Sequence, residues 1–493
     1  MRMINPILNL GKIGLYEATY LVQCQSDDEV NRARQYFSSY PWVNVMTVRS
    51  NALPLIEEES KKLQIPTEVF NAMDESHYNM VANVLKTQQF DIIQIEHSWM
   101  SWVVPLIRTI APDTPVVLDM HNIESMFLER WLQYDPRCDR DGIQAAFGKM
   151  QNWERETWQW YDACLAVSPV EAQEYREATV NRIPTWDLPT GGGIDTERLS
   201  QPMSRKPAGA GSVVTIGTLI WYPNVHGLIW FIDKVMPILK LTHPKARLYI
   251  AGFGGPWLEL MKRIKERKDI VFLGEIADER ELLELGSVFI APLWIVAGAR
   301  VKILTAWAAG IPVVATTLAA EGLHYTNHHD ILIADDPQSF AEAIDSLFDS
   351  PELAAKLIEN GRILIKKHYS LERAAEQYAQ AYHTITSAAT HPCAGAATED
   401  SWVRKKQAME SLVKLKTELQ AKASAASKNI GFPAYIRKLM TAADKALPFV
   451  IKKTYAYYLA ATAFKTINQE GWKIFFYKAY MWLKKRLSLR KVR

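Results

Sequence analysis

The stretch Gly298-Ala299-Arg300-Val301-Lys302 sets two cations at the start of a helical run that continues to Ala309. A helix N-terminus with exposed N–H groups is an anion site, and a glycine just ahead of it lets the backbone approach a ligand closely. Arg300 and Lys302 add full positive charge at that point. The combination suits a diphosphate. When a group departs from a diphosphate, charge builds on the phosphate left behind, and fixed cations stabilise it without a metal. No metal site is expected elsewhere, because His328-His329 reads as a loop with no third ligand at useful spacing. The plainer alternative for Arg300 and Lys302 is a solvated helix face. Gly310 reads as helix punctuation.

Further candidates sit where strands should end. Asp91–Ile95 and Pro115–Leu118 are short apolar runs of the kind buried on both faces of a parallel sheet. The first runs out into Glu96-His97 and the second into Asp119-Met120-His121-Asn122. Ligands gather at the carboxyl ends of parallel strands, so Glu96, His97 and His121 would face a cleft. Each reads equally well as a hydrogen-bonded strand-end residue.

The elements that must position these residues form two α/β series. In the first, Ala18–Gln23, Val43–Val48, Asp91–Ile95, Pro115–Leu118 and Cys164–Val167 are strand candidates between longer helical patterns. Thr190-Gly191-Gly192-Gly193 and the polar stretch Ser200–Gly211 read as an interdomain linker. In the second series, Ser212–Ile216, Arg247–Ala251, Asp269–Leu273, Val288–Ala291, Pro312–Ala315 and Ile331–Ile333 are strand candidates, and Leu371–Ile385 is a closing helix. The expected organisation is a first Rossmann-like domain over 1–200, a second over 209–390, and a helix-forming, Lys-rich extension over 400–493.

Gly298, Arg300, Lys302, Leu304, Ala306, Ala308, Gly310, Pro312, Val313, Val314 and Thr316, then Glu321-Gly322-Leu323, resemble the signature of the retaining GT4-type glycosyltransferases. Gly217-Thr218-Leu219-Ile220-Trp221-Tyr222-Pro223-Asn224, Tyr249–Gly254, Phe272–Gly274 and Ala291–Leu293 resemble earlier segments of that family's second domain. The resemblance covers roughly residues 15–390. It implies an α/β fold of the GT-B kind, two Rossmann-like domains facing a cleft. It also implies transfer of a sugar from a nucleoside-diphosphate sugar to a glycan or lipid-linked acceptor with retention of configuration. Gly298, Ala299, Arg300 and Lys302 would hold the donor diphosphate. Gly217, Asn224, Thr305, Glu321 and Gly322 would contact the nucleotide or sugar. His121 would be catalytic, at the sugar hydroxyls or reacting centre, and Glu96 and His97 would shape the acceptor side. No cofactor or dedicated base is implied, since the departing phosphate can take the acceptor proton. Two departures stand out. Thr305 occupies the position of the family's ribose-binding Glu, and the family's opening strand and glycine-rich loop have no counterpart ahead of Leu8–Gln23. They keep open the alternative of a catalytically degenerate nucleotide-sugar-binding or scaffold subunit.

Composition sets the bounds. The 493 residues are 48% hydrophobic and 23% charged, ordinary for globular domains, and a net charge of +3 excludes a polycation that binds nucleic acid. Four cysteines with no close pair fit a reducing compartment, and the expected location is the cytoplasm. From Ile451 to Arg493 there are eleven Lys or Arg and one acid, Glu470. Within that tail Trp472, Phe476, Ala479, Leu483 and Leu487 share one helical stripe. An aromatic face with basic flanks suits either the inner face of a membrane or a docking surface on protein. Ser401–Ser427 reads as a helix capable of self-association.

Overall fold

The apolar runs of the second series become six parallel strands in the order β12-β11-β10-β7-β8-β9. These are β7 Ser212–Ile216, β8 Arg247–Ala251, β9 Ile270–Gly274, β10 Val288–Ala291, β11 Val313–Ala315 and β12 Leu332–Ile333. Alternation along each strand splits its side chains between two cores. Val213, Leu248, Ile250, Val288, Ile290 and Val314 enter one. Val214, Tyr249, Ala251, Phe289, Ala291 and Val313 enter the other. Burial on both faces explains why these strands read as continuous apolar segments. The computed structural model describes residues 5–429 except 13, 15, 25, 50–62, 189–192, 202–210, 255–256, 299–300 and 389–397. The polyglycine linker and the basic tail therefore lie largely or wholly outside the described residues.

The first series forms two parallel sheets. β1 Ala18–Cys24 pairs with β2 Val43–Arg49, in register from Ala18↔Val43 to Cys24↔Arg49. β3 Ile93–Glu96, β4 Val116–Asp119, β5 Ala163–Ala166 and β6 Thr185–Asp187 follow one another in a four-stranded sheet. Glu96 stands opposite Asp119 in the β3–β4 register, so both strand-end carboxylates emerge side by side.

Two helices beyond residue 370 pack on this first half. Helix Leu371–Ser387, expected to close the second series, instead crosses back. Its Tyr378, Ala381, Tyr382 and Ile385 pack on Val117, Ala163 and Leu165. The crossing is tied where Ile194 N–H donates to Tyr369 O at 2.7 Å. Helix Glu399–Asn429 sends Trp402 and Val413 into the first-half core, with Met409, Leu412 and Leu419 beside them. These five side chains are thus used within the chain. Lys416 is 2% exposed and donates to Asn71 O at 2.7 Å and to Met73 O. Those carbonyls close helix Thr67–Ala72, where a cation is favoured. Burial lowers the Lys416 amine to about 8. Lys416→Met should leave both carbonyls without this donor and cost about 2 kcal/mol. The expected readout is a lower urea midpoint and faster proteolytic release of residues 399–429. Among the described residues, no helix is long and apolar enough to cross a membrane.

Candidate functional site

The strand order of the six-stranded sheet reverses between β10 and β7, all strands staying parallel. Ligands of doubly wound sheets bind outside the carboxyl ends at such a switch point. Gly217 follows β7, and the segment from Pro292 to Gly298 follows β10. Between them lies a cavity lined by Thr215, Gly217, Asn224, Ala251, Pro292 and Lys302. Lys302 Nζ donates to Asn224 Oδ1 at 2.7 Å, and Asn224 Nδ2 donates to Thr218 O at 2.9 Å. A Cβ on residue 217 would lie 2.9 Å from Asn224 Nδ2 and 3.1 Å from Lys302 Nζ. Gly217, Asn224 and Lys302 therefore meet over one bare stretch of backbone.

Gly298 brings the second half against the first. Its φ of +73° is a left-handed conformation, and a Cβ there would stand 2.5 Å from His121 O. Its N–H donates to Glu171 Oε1 at 2.6 Å, while Glu171 Oε2 accepts from Ser168 Oγ at 2.7 Å. Gly322 packs against the same serine, its would-be Cβ 2.5 Å from Ser168 Cβ. Glu321 accepts from Arg130 at 2.6 Å, and Arg130 also donates to Val296 O at 2.6 Å. The Thr305 hydroxyl turns back on its own helix to Val301 O at 2.9 Å. Ala299 and Arg300 lie outside the described residues.

On the first half, His121 Nε2 and Glu96 Oε2 are 2.6 Å apart, with side-chain exposures of 12% and 18%. The His97 ring lies between two others, its centroid 4.1 Å from Trp99 and 3.9 Å from His121. His97 also has a φ of 68°, a costly conformation for a side chain of this size that the surrounding stack holds in place. Glu96, Asp119 and His121 each bring one ligand-capable atom within 4.8 Å of the others. Side-chain donors already serve both carboxylates. Gln94 Nε2 donates to Glu96 Oε1 at 2.8 Å and to Asp119 Oδ2 at 3.2 Å, and the Tyr378 hydroxyl donates to Asp119 Oδ2 at 2.9 Å.

Comparison with known proteins places this arrangement. The family described as "Glycosyl transferases group 1" matches residues 210–350, and "Glycosyl transferase 4-like domain" matches residues 41–186. The chain belongs to the GT4-type, group 1 glycosyltransferases. The putative glycosyltransferase YtcC of Bacillus subtilis is 24% identical over 371 residues, 71% of this transferase and 85% of that protein. An uncharacterised 44.6 kDa protein in the cps region of Klebsiella pneumoniae is 27% identical over 168 residues, 33% of this chain. That match spans 43% of the Klebsiella protein, less than two thirds of its length. The fold is shared with sucrose-phosphate synthase of Thermosynechococcus elongatus, at TM-score 0.55 and 16% identity, covering 75% of this chain and 99% of that one. It is shared also with Anabaena HepE in complex with UDP, at TM-score 0.53 and 14% identity, covering 78% and 96%. The fold is GT-B.

Several residues that organise the transferase cleft carry no motif. Helix Glu124–Tyr134 faces the second half with a stripe at spacings of three and four. Phe127 stacks on Trp221 at 5.0 Å, Arg130 holds Glu321, and Trp131 stacks on Tyr222 at 5.4 Å. That helix begins on Glu154, which is wholly buried and accepts from Glu124 N–H at 2.8 Å, Ser125 N–H at 3.2 Å and Ser125 Oγ at 2.5 Å. Burial raises the Glu154 carboxyl to about 7 against these donors. Burial and the facing Glu154 raise Glu124 to about 8. The signal that could have exposed Glu171 is the pattern Ser168-Pro169-Val170-Glu171, a helix-start signature in which Ser168 Oγ accepts from Glu171 N–H.

Proposed function

We propose that the transferase moves a hexosyl group from a nucleoside-diphosphate sugar to a glycan or lipid-linked acceptor, with retention of configuration and without a metal. The observation that carries this reading is the apposition of Gly298, at the start of the phosphate-binding helix, with the backbone carbonyl of His121. A donor whose diphosphate meets Lys302 and the helix N-terminus would extend its sugar toward that carbonyl. Lys302 would stabilise the charge that builds on the departing phosphate. The same phosphate would then take the acceptor proton on the face it leaves, which preserves the anomeric configuration. His121 would contact the sugar, and Glu96 and His97 would border the acceptor side. The likeness to a protein solved with UDP makes uridine the first base to test. The basic tail would supply contact with an anionic membrane surface at the cytoplasmic face.

Titration calorimetry with UDP and GDP, and donor hydrolysis with a panel of UDP- and GDP-sugars, tests the donor without knowledge of the acceptor. The expected result is binding of one nucleotide and slow hydrolysis of its sugar. Lys302→Ala should weaken nucleotide binding by about 10- to 100-fold, the worth of a charge-assisted phosphate contact. Unaltered binding by Lys302→Ala would remove the diphosphate assignment. Binding with no turnover under any condition would favour the degenerate subunit. Proton NMR of a product's anomeric centre reads retention directly.

A further inference from the structure

We infer that the C-terminal crossing helix of the donor half sets the state of His121 through a buried relay, Tyr382–Gln94–Glu96–His121, with Tyr378 and Asp119 as its side branch. This deepens the reading of His121 as the residue at the sugar and rests on that reading. Glu96, sequence-assigned to the acceptor side, becomes a positioning residue for His121, as do Gln94, Tyr378 and Tyr382.

The donors and acceptors along the relay fix its direction. The Tyr382 hydroxyl donates to Gln94 Oε1 at 2.5 Å, so the Gln94 amide points its NH₂ the other way. Both hydrogens of that NH₂ are then used, one on Glu96 and one on Asp119. An ionised carboxylate only accepts. Glu96 Oε2 therefore requires that His121 Nε2 carry the hydrogen across their 2.6 Å contact. That choice of tautomer leaves Nδ1 as the atom that gains or loses a proton, and a neighbouring carboxylate favours the protonated ring.

The groups around the ring agree. Glu96 comes from β3 and Asp119 from β4, and His97 stacks on the His121 ring. Tyr20 comes from β1, where burial first, then the Glu96 and Asp119 charges, push its phenol above the usual range. Burial, then Asp119 and Glu96, raise the Tyr382 phenol in the same way. Both phenols remain protonated donors at neutral pH. Glu96 and Asp119 stand beside the His121 ring in a site closed by tyrosines, and nearby carboxylates favour the cationic form of an imidazole. Tyr378 and Tyr382 lie one turn apart on helix Leu371–Ser387, the segment that returns from the donor half. The relay therefore links the position of that helix to the protonation and orientation of His121.

The test uses the full chain with ¹⁵N-histidine NMR, the His121 signals being assigned by their loss in His121→Asn. In Glu96→Gln the His121 ring should give up its proton at lower pH, by about 1 to 3 pH units, and its tautomer balance should shift. Tyr382→Phe should move the same signals less, in the same direction, and Glu96→Asp should partly restore them. UDP binding by calorimetry should stay within twofold throughout. With whichever nucleotide sugar the protein hydrolyses, Glu96→Gln should lower kcat with little change in KM and displace the pH profile. Unchanged His121 signals in Glu96→Gln would overturn the relay whether or not the protein is a transferase. Normal turnover by His121→Asn would instead remove His121 from the chemistry and leave the relay standing. Stoichiometric quenching of the His121 signals by Mn²⁺, abolished in Asp119→Asn, would assign the cluster to a cation and overturn the relay as well.

Discussion

Gly298→Ala is expected to lower the transferase kcat/KM by about 10³-fold while leaving the fold intact. Two costs coincide at this position. A side chain at φ of +73° is disfavoured by about 1–2 kcal/mol. The added Cβ would also stand 2.5 Å from His121 O, which is backbone and cannot rotate away. The loop must retreat, and it carries the start of helix Val301–Ala309, the proposed diphosphate site, with it. Misplacing a reacting group by about 1 Å costs about 10²-fold, and losing an aligned donor to the developing charge costs about 10²- to 10³-fold. Loss of the Gly298 N–H to Glu171 contact adds to the displacement. Gly148→Ala is the control. That glycine lies inside helix Arg140–Thr157 with no heavy atom within 4 Å of a new Cβ. Alanine there should leave turnover unchanged and raise stability by up to about 1 kcal/mol. Equal activity of the two variants, with equal thermal midpoints, would refute the close approach of the two halves at Gly298.

That close approach marks where sequence reasoning reached and where it stopped. Gly217 and Asn224 are legible from the segment Gly217–Asn224 and Lys302 from the signature that starts at Gly298, and the structure gathers them at one switch point. The strands of the second half were legible because both faces are buried and the runs are unbroken. β6 was not legible, since Thr185–Asp187 is three residues long with no fully buried position. Helix Leu371–Ser387 was seen as a helix, but its destination was invisible, because an amphipathic stripe does not say which sheet will cover it. The partners inside the cleft were hidden for the same reason. Glu171 meets Gly298 across 127 positions, Arg130 meets Glu321 across 191, and Tyr378 meets Asp119 across 259. Spacing rules act within a turn or a strand pair and carry no information at such separations. Thr305 shows the converse. The signature flagged it as a departure, and the structure shows its hydroxyl engaged with its own helix.

Glu154→Ala should be the most destabilising single change at the cleft, at about 4 kcal/mol. The carboxylate is wholly buried and serves two N–H groups at the start of helix Glu124–Tyr134 and the Ser125 hydroxyl. Each buried donor left without an acceptor costs about 1–3 kcal/mol, and the emptied space adds a cavity term. The damage should spread, because the same helix presents Phe127, Arg130 and Trp131 to the second half. Turnover should therefore fall together with the thermal midpoint, whereas Gly298→Ala separates the two. The pH dependence has a definite sign. Folding raises Glu154 to about 7 and Glu124 to about 8, from 4.5. Between pH 4.5 and 8 the folded state holds protons that the unfolded chain releases, so stability is greatest at the acid end of that window and falls as pH rises through 7 to 8. Glu124→Gln removes one of the two facing charges, so its thermal midpoint should decline less than the parent's between pH 6 and 8.5. Calorimetric scans across that range decide the matter, and parallel declines for parent and Glu124→Gln would show that the Glu154 charge does not raise Glu124.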